Sequence, residues 1–407
     1  MLTASYSCTA GEAPAAGSGN ENENEILSEG VTSGEKTGKP YLIGSTFLSA
    51  ERYCIAGNAP DSAEITVEGG LETVETKAEG GLFVVEVFLE KQKSKNVELR
   101  LYARAAGKNI SDPLTLTVYA DEKRENKPVY VGKNNRLHYE YTLDDFLGIN
   151  LFEEKELVRL RSGAEKLQKK LTEAGLKTEL IIFIAPNPAT IYPETMSDFL
   201  QAKKAGGNSR ALQMAEAFES SSVKLIFPYE RLLQKKADND LYFFSDTHWN
   251  ELGAYYGYCE LFEYIGKKFP DALPIPEYGI NISETIMYGG DIVSNMLFFD
   301  AASYATPSLS VSVRDPKAVR INLVGDPGMG SEIWVMDDGK DRPTVMICRD
   351  SFSVAMIHPI SETAGKTIIN PMWDFSIDME YIKESDPDFL ILEKVERETR
   401  SFAGILR

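Results

Sequence analysis

The chain has three histidines in 407 residues, His138, His248 and His358, so the search for a histidine general base is short. It is also poor in cysteine. Cys8, Cys54, Cys259 and Cys348 are widely scattered and show no CxxC spacing, which excludes a disulfide framework and a thiolate metal site. No run approaches the ~20 apolar residues that span a bilayer. An excess of positive charge is missing as well. The formal net charge of -19 disfavours nucleic acid and anionic membranes, because both would repel the chain over a Debye length.

What is present is the material of folded cores. Hydrophobic residues at 43% and charged residues at 26% match globular averages, which excludes disorder throughout. A chain of 407 residues exceeds one ordinary core, so two domains with irregular segments are expected. Residues 1-39, rich in Gly, Ser, Asn, Ala and Glu with ENENE at 21-25, cannot bury enough to fold and read as a disordered acidic tether. The start, LTASYSC, is small and apolar before a cysteine. It suits the end of a lipoprotein signal with a lipid anchor at Cys8, and it equally suits an ordinary cysteine in a tail.

From 40 to 122 the grammar is short alternating apolar runs between turn residues: Ile65-Val67, Phe83-Val85-Val87-Leu89, Val97-Leu99-Leu101 and Leu114-Leu116-Val118. Period two at strand length predicts a small antiparallel β-sandwich. The punctuation EGGLFVVEVFL and GKNISDPLTLTV resembles bacterial immunoglobulin-like modules of surface proteins, which implies a spacer or, as the alternative, a sugar-binding surface.

From 127 to 407 strands and helices alternate. Glu153 to Leu176 carries Leu157, Leu160, Leu167 and Leu171 on one stripe, and Gly175 is its stop. Continuous apolar runs at 181-184, 223-227, 344-348 and 389-392 suit strands buried on both faces, with helical segments near 208-219, 250-265 and 352-364. The fold class expected is α/β, a three-layer sandwich on a mostly parallel sheet.

Two short blocks carry chemistry. Asp246-Thr247-His248-Trp249-Asn250 precedes a helix, and in an extended turn an Asp and a His two residues apart share a side. Ser351 in Arg349-Asp350-Ser351-Phe352-Ser353 follows a strand and precedes a helix, where backbone N–H groups stabilise an oxyanion; a plain N-cap serine is the bland reading. An Asp-x-His also suits a metal, but no third His or Cys accompanies it, so neither metal nor cofactor is expected. His138 and His358 lack partners at useful spacing and read as structural. The GGD at 289-291, in a less regular insert, reads as cleft lining or as a plain turn.

The order of the blocks resembles SGNH hydrolases after circular permutation. IIFIAPNP at 181-188, VKLIFPYERL at 223-232, FFSDTHWNELGAYY at 243-256, TVMICRDSFS at 344-353 and PDFLILEKVER at 387-397 stand for the usual parts in rotated order. The chain is most similar to the permuted branch of the alginate O-acetylation proteins and the DHHW family. The DxHW block and the segment from Ala185-Pro186-Asn187 to Tyr192-Pro193-Glu194 carry that likeness over 127-407. The resemblance implies a bacterial, extracytoplasmic O-acetyltransferase or acetylesterase, secreted or anchored at the cell surface, acting on a polysaccharide. Its triad would be Ser351, His248 and Asp246, and a membrane acyl-transfer partner could donate the acetyl group. Arg349, Arg397, Asn187, Trp249 and Tyr192 are substrate or oxyanion candidates. The alternative is an inactive glycan-binding or adhesive protein, because Arg349 replaces the usual glycine and Arg397 stands where an oxyanion asparagine is expected.

Overall fold

The computed structural model describes residues 34–91, 95–371 and 377–406; Cys8 and most of the predicted tether lie outside them. The end of that tether is fastened. The Thr37 amide and hydroxyl both donate to the Asn109 carbonyl, and Thr37 Oγ1 accepts the Ala105 amide at 2.9 Å.

Residues 41 to 118 form two antiparallel sheets. One pairs Tyr41–Phe47, Arg52–Asn58 and Leu82–Phe88; the other orders Val74–Lys77, Glu64–Glu68, Val97–Arg104 and Leu114–Val118 side by side. The alternating residues seen in the sequence meet between them: Ile65, Val67, Phe83, Val85, Val87, Leu99 and Leu101 share one core.

The larger unit is built on a seven-stranded sheet. Its strands are β1 (Glu179–Ala185), β2 (Lys224–Ile226), β3 (Val319–Val324), β4 (Ser331–Val335), β5 (Thr344–Arg349), β6 (Lys366–Pro371) and β7 (Phe389–Val395), in the spatial order β2-β1-β7-β5-β6-β4-β3. β2, β1, β7, β5 and β6 run parallel, and β4 and β3 add antiparallel strands at one edge. The apolar runs are continuous because both faces are covered. Ile181 and Phe183 point into one core with the helix α3 (Glu251–Ile265), while Leu180, Ile182 and Ile184 point into the other with α1 (Glu154–Glu173) and α2 (Arg210–Phe218). Each fully buried side chain contributes about 1.5–3 kcal/mol of transfer free energy.

Two expectations need correction. The segment between the Asp-His and serine blocks is not irregular: it holds the hairpin Ile280–Tyr288 and Ala305–Val313 as well as β3 and β4. The helix expected at 352–364 is a 3-10 turn, Ser351–Met356, followed by a short α-helix, Ile357–Ser361.

Candidate active site

The Asp-His block lies between two fixed points. The bridge pairing Tyr242 with Trp249 closes a loop, and Asn250 then caps α3 by accepting the Gly253 amide at 3.0 Å, a cap worth about 1 kcal/mol. Within the loop Asp246 Oδ1 accepts the His248 amide at 3.0 Å and His248 Nδ1–H at 2.7 Å. A carboxylate only accepts, so the proton sits on Nδ1 and Nε2 is left as an acceptor. Ser351 Oγ lies 2.7 Å from Nε2 and donates to it.

The serine is held from the other side. Asp350 accepts the Phe352 amide at 2.9 Å and the Val395 amide at 2.8 Å, while its own amide donates to Glu393 Oε2 at 2.9 Å. The turn after β5 is thereby tied to the end of β7. Burial, reinforced by the charge of Asp350, pushes the Glu393 carboxyl well above the usual carboxylate range. Burial alone would also raise Asp246, but the hydrogen bond and charge of His248 and the Asp291 amide hold its carboxyl below the ordinary value. Asp246 is thus kept as a charged acceptor.

Asp291 comes from the GGD turn and joins this group. Its amide donates to Asp246 Oδ2 at 2.8 Å, and its carboxylate accepts the Thr247 amide at 2.8 Å and the Thr247 hydroxyl at 2.5 Å. Burial first, and the Asp246 charge next, raise its carboxyl. Asp246, His248 and Asp291 offer ligand atoms within 4.8 Å of one another, a third ligand that the search for His and Cys had not supplied. In this arrangement His248 Nδ1 and both Asp246 oxygens are engaged in hydrogen bonds.

A cleft of about 390 Å³ opens on Ser351, His248 and Asp246, lined also by Phe243, Trp249, Glu251, Phe352, Val354 and Ala355. Several sequence candidates stand elsewhere. Arg349 does not line it; fully buried, its guanidinium donates to the carbonyls of Gly328 and Asp350 and braces the serine turn. Asn187 is equally buried, its amide donating to Glu396 Oε2. Tyr192 packs under Arg136 and its hydroxyl accepts the Leu241 amide, so it offers no face to a sugar. Trp249 touches the cleft but is 1% exposed, with its indole N–H donated to the Phe352 carbonyl. Arg397 lies 5.2 Å from the Phe352 ring, which itself packs 4.7 Å from the His248 ring, but it lines a different cavity, with Tyr141, Asp144 and Arg210. His138 is fully buried and contacts Thr195 Oγ1; burial, then Arg136, pushes it down to about 3. His358 is half exposed beside Glu362.

The GGD turn stood out in the sequence as cleft lining or a plain turn, but the contact of Asp291 with Asp246 and Thr247 was not foreseen, and Glu393 was not singled out at all. A carboxylate after a Gly-Gly turn, and a glutamate interrupting the buried run FLILEKV, were the available signals.

Residues 141–327 match the family model of the SGNH hydrolase-like domain of acetyltransferase AlgX. PatB1 of Bacillus cereus is similar in structure at 14% identity and a TM-score of 0.49, covering 67% of this chain and 97% of that one. A DHHW family protein from Eubacterium siraeum is similar at 11% identity and 0.47, covering 75% and 94%. The O-acetyltransferase domain of Pseudomonas putida AlgJ is similar at 15% identity and 0.41, covering 66% and 91%. No curated protein matches by sequence. The matched stretch lies within the α/β unit, which is thereby similar to an SGNH hydrolase-like domain.

Proposed function

We propose that the chain is an extracytoplasmic, serine-dependent acyl-transfer enzyme that places acetyl groups on a polysaccharide or removes them. The carrying observation is the pair of 2.7 Å contacts, Ser351 Oγ to His248 Nε2 and His248 Nδ1 to Asp246. The family match of residues 141–327 supports acetyl as the group moved.

Ser351 Oγ bonds to the acetyl carbonyl carbon as its proton passes to Nε2. Collapse of the tetrahedral intermediate breaks the ester C–O bond, and the imidazolium returns the proton to the departing oxygen. Asp246 holds the Nδ1 tautomer and stabilises the imidazolium. The Ser351 amide, at the start of the turn, is the donor assigned to the oxyanion. In the second half a sugar hydroxyl, or water, gives its proton to Nε2 and attacks the acyl-serine; the Ser351 Oγ–C bond then breaks and the imidazolium returns the proton to Oγ. For transfer, the acetyl donor is a membrane acyl-transfer partner. In this reading the unit from 127 to 407 does the chemistry and the sheets of 40–122 precede it.

The test is turnover of a chromogenic acetyl ester by wild type, Ser351→Ala and His248→Ala, with trapping of Ser351 by a serine-directed phosphonate. Loss of at least about 10³-fold in both variants is expected. A wild type that neither turns over the ester nor takes the label would end the reading.

A further inference from the structure

The segment that brings Asp291 to the Asp-His block is anchored outside the α/β unit. Gly290 has φ +98°, and a Cβ there would lie 2.4 Å from the Ser245 carbonyl oxygen, so glycine is needed for the approach. The contact that results is reciprocal. The Asp291 amide grips the Asp246 side chain, and the Asp291 side chain grips the Thr247 amide and hydroxyl. Its Oδ2 is also 3.8 Å from His248 Nδ1.

Directly after Asp291 the chain makes a π-helical turn, Ile292–Leu297, a rare conformation that is frequent at functional sites. Ile292, Val293, Leu297 and Phe299 are buried in one cluster with Cys54 and Val84 of the N-terminal sheet. The Phe299 ring lies against Gly44, where a Cβ would come within 2.5 Å of it. Asn135 ties the same sheet down by donating to the Leu82 carbonyl at 2.8 Å and accepting the Val84 amide at 2.9 Å.

We propose that Asp291 is a positioning residue for His248 and that the N-terminal sheet holds it in place, which makes that module a working part of the site rather than a spacer alone. The proposal rests on the acyl-transfer reading above. Asp291 fixes the Asp246 rotamer and the Thr247 peptide, so the imidazole presents Nε2 to Ser351 in one orientation. It also sets a second negative charge beside the imidazolium formed when Ser351 gives up its proton.

Two readouts on the full chain test it: kcat and KM with a chromogenic acetyl ester, and the downfield proton resonance of His248 Nδ1–H, assigned with the His248→Ala variant. Asp291→Ala should lower kcat about 100-fold with KM little changed, the scale of an ångström-sized misplacement, and broaden the resonance. Asp291→Asn keeps an acceptor for the Thr247 amide and loses the charge, so a fall of about tenfold is expected, and it decides the matter if the alanine variant does not fold. Phe299→Ala, at the sheet contact, should lower kcat several-fold and broaden the same resonance without altering the circular dichroism. Wild-type kcat and an unaltered resonance in Asp291→Asn would overturn the role of Asp291, and the same result in Phe299→Ala would overturn that of the sheet. A wild type without turnover or label whose resonance still responds to Asp291→Asn would end the acyl-transfer reading and leave the positioning role standing.

Discussion

The indole of Trp249 donates to the carbonyl of Phe352 at 2.8 Å, so the residue after the histidine is bonded to the residue after the serine. This buried link fixes the separation of the two blocks independently of the His248–Ser351 contact. Trp249→Phe removes the donor and leaves the Phe352 carbonyl unpaired, which should cost about 1–3 kcal/mol of stability. The loosened register should also lower kcat about tenfold, as ~1.4 kcal/mol of lost orientation would. Thermal melts and ester turnover check both, and an unchanged kcat would show that the imidazole is oriented without this bond.

Glu393 accepts the Asp350 amide inside the core, and its carboxyl is held well above the usual range by burial and by Asp350. Burial disfavours the charged form of this carboxyl, so an uncharged isostere suits the site. Glu393→Gln should keep stability within about 1 kcal/mol of wild type. Glu393→Ala strands the amide and opens a cavity, and should cost about 3 kcal/mol by urea unfolding. Equal damage from both substitutions would mean that the carboxylate charge itself is needed.

The sequence was informative wherever one local rule decided the outcome. Runs such as LIIFI declare a doubly buried strand, and Asp246-Thr247-His248 is confined to a loop by the helix that Asn250 caps. It was uninformative where the outcome depends on what comes near from elsewhere in the chain. Asp291 reaches Asp246 across 45 residues through a Gly-Gly turn that could have been any turn. Arg349 adjoins the serine in sequence, yet its guanidinium is drawn to the Gly328 carbonyl, 21 residues away. β3 hid because Val319, Ile321 and Val324 are exposed on an edge strand, so its pattern lacks a buried face.

The Asp246, His248 and Asp291 group raises the question of a cation. Binding one would displace the proton from His248 Nδ1 and turn Asp246 away from the His248 amide, breaking contacts of 2.7 and 3.0 Å. Ester turnover should therefore be unaffected by dialysis against EDTA. A loss restored by zinc would instead assign the group to metal-assisted hydrolysis.

Glu396 provides a pH test of the fold. It is fully buried at the end of β7, where Oε2 accepts the Asn187 amide and the Thr190 hydroxyl and Oε1 accepts the Ser209 hydroxyl. Burial, then the charge of Asp145, pushes its carboxyl up to about 7. An acid with a raised folded pKa keeps its proton in the native state after the unfolded chain has lost it, so stability falls as pH rises from 4.5 to about 7 and is level above that. His138, pushed down to about 3, works in the opposite direction between pH 3 and 6.5, so the wild-type curve alone is ambiguous. The difference between wild type and Glu396→Gln isolates the carboxyl, because Gln can accept from Asn187 and Thr190 and donate to Ser209. Relative to that variant, wild type should gain about 3 kcal/mol in urea unfolding between pH 8 and pH 4.5. A difference that stays flat across that window would mean that Glu396 ionises at the ordinary carboxylate value.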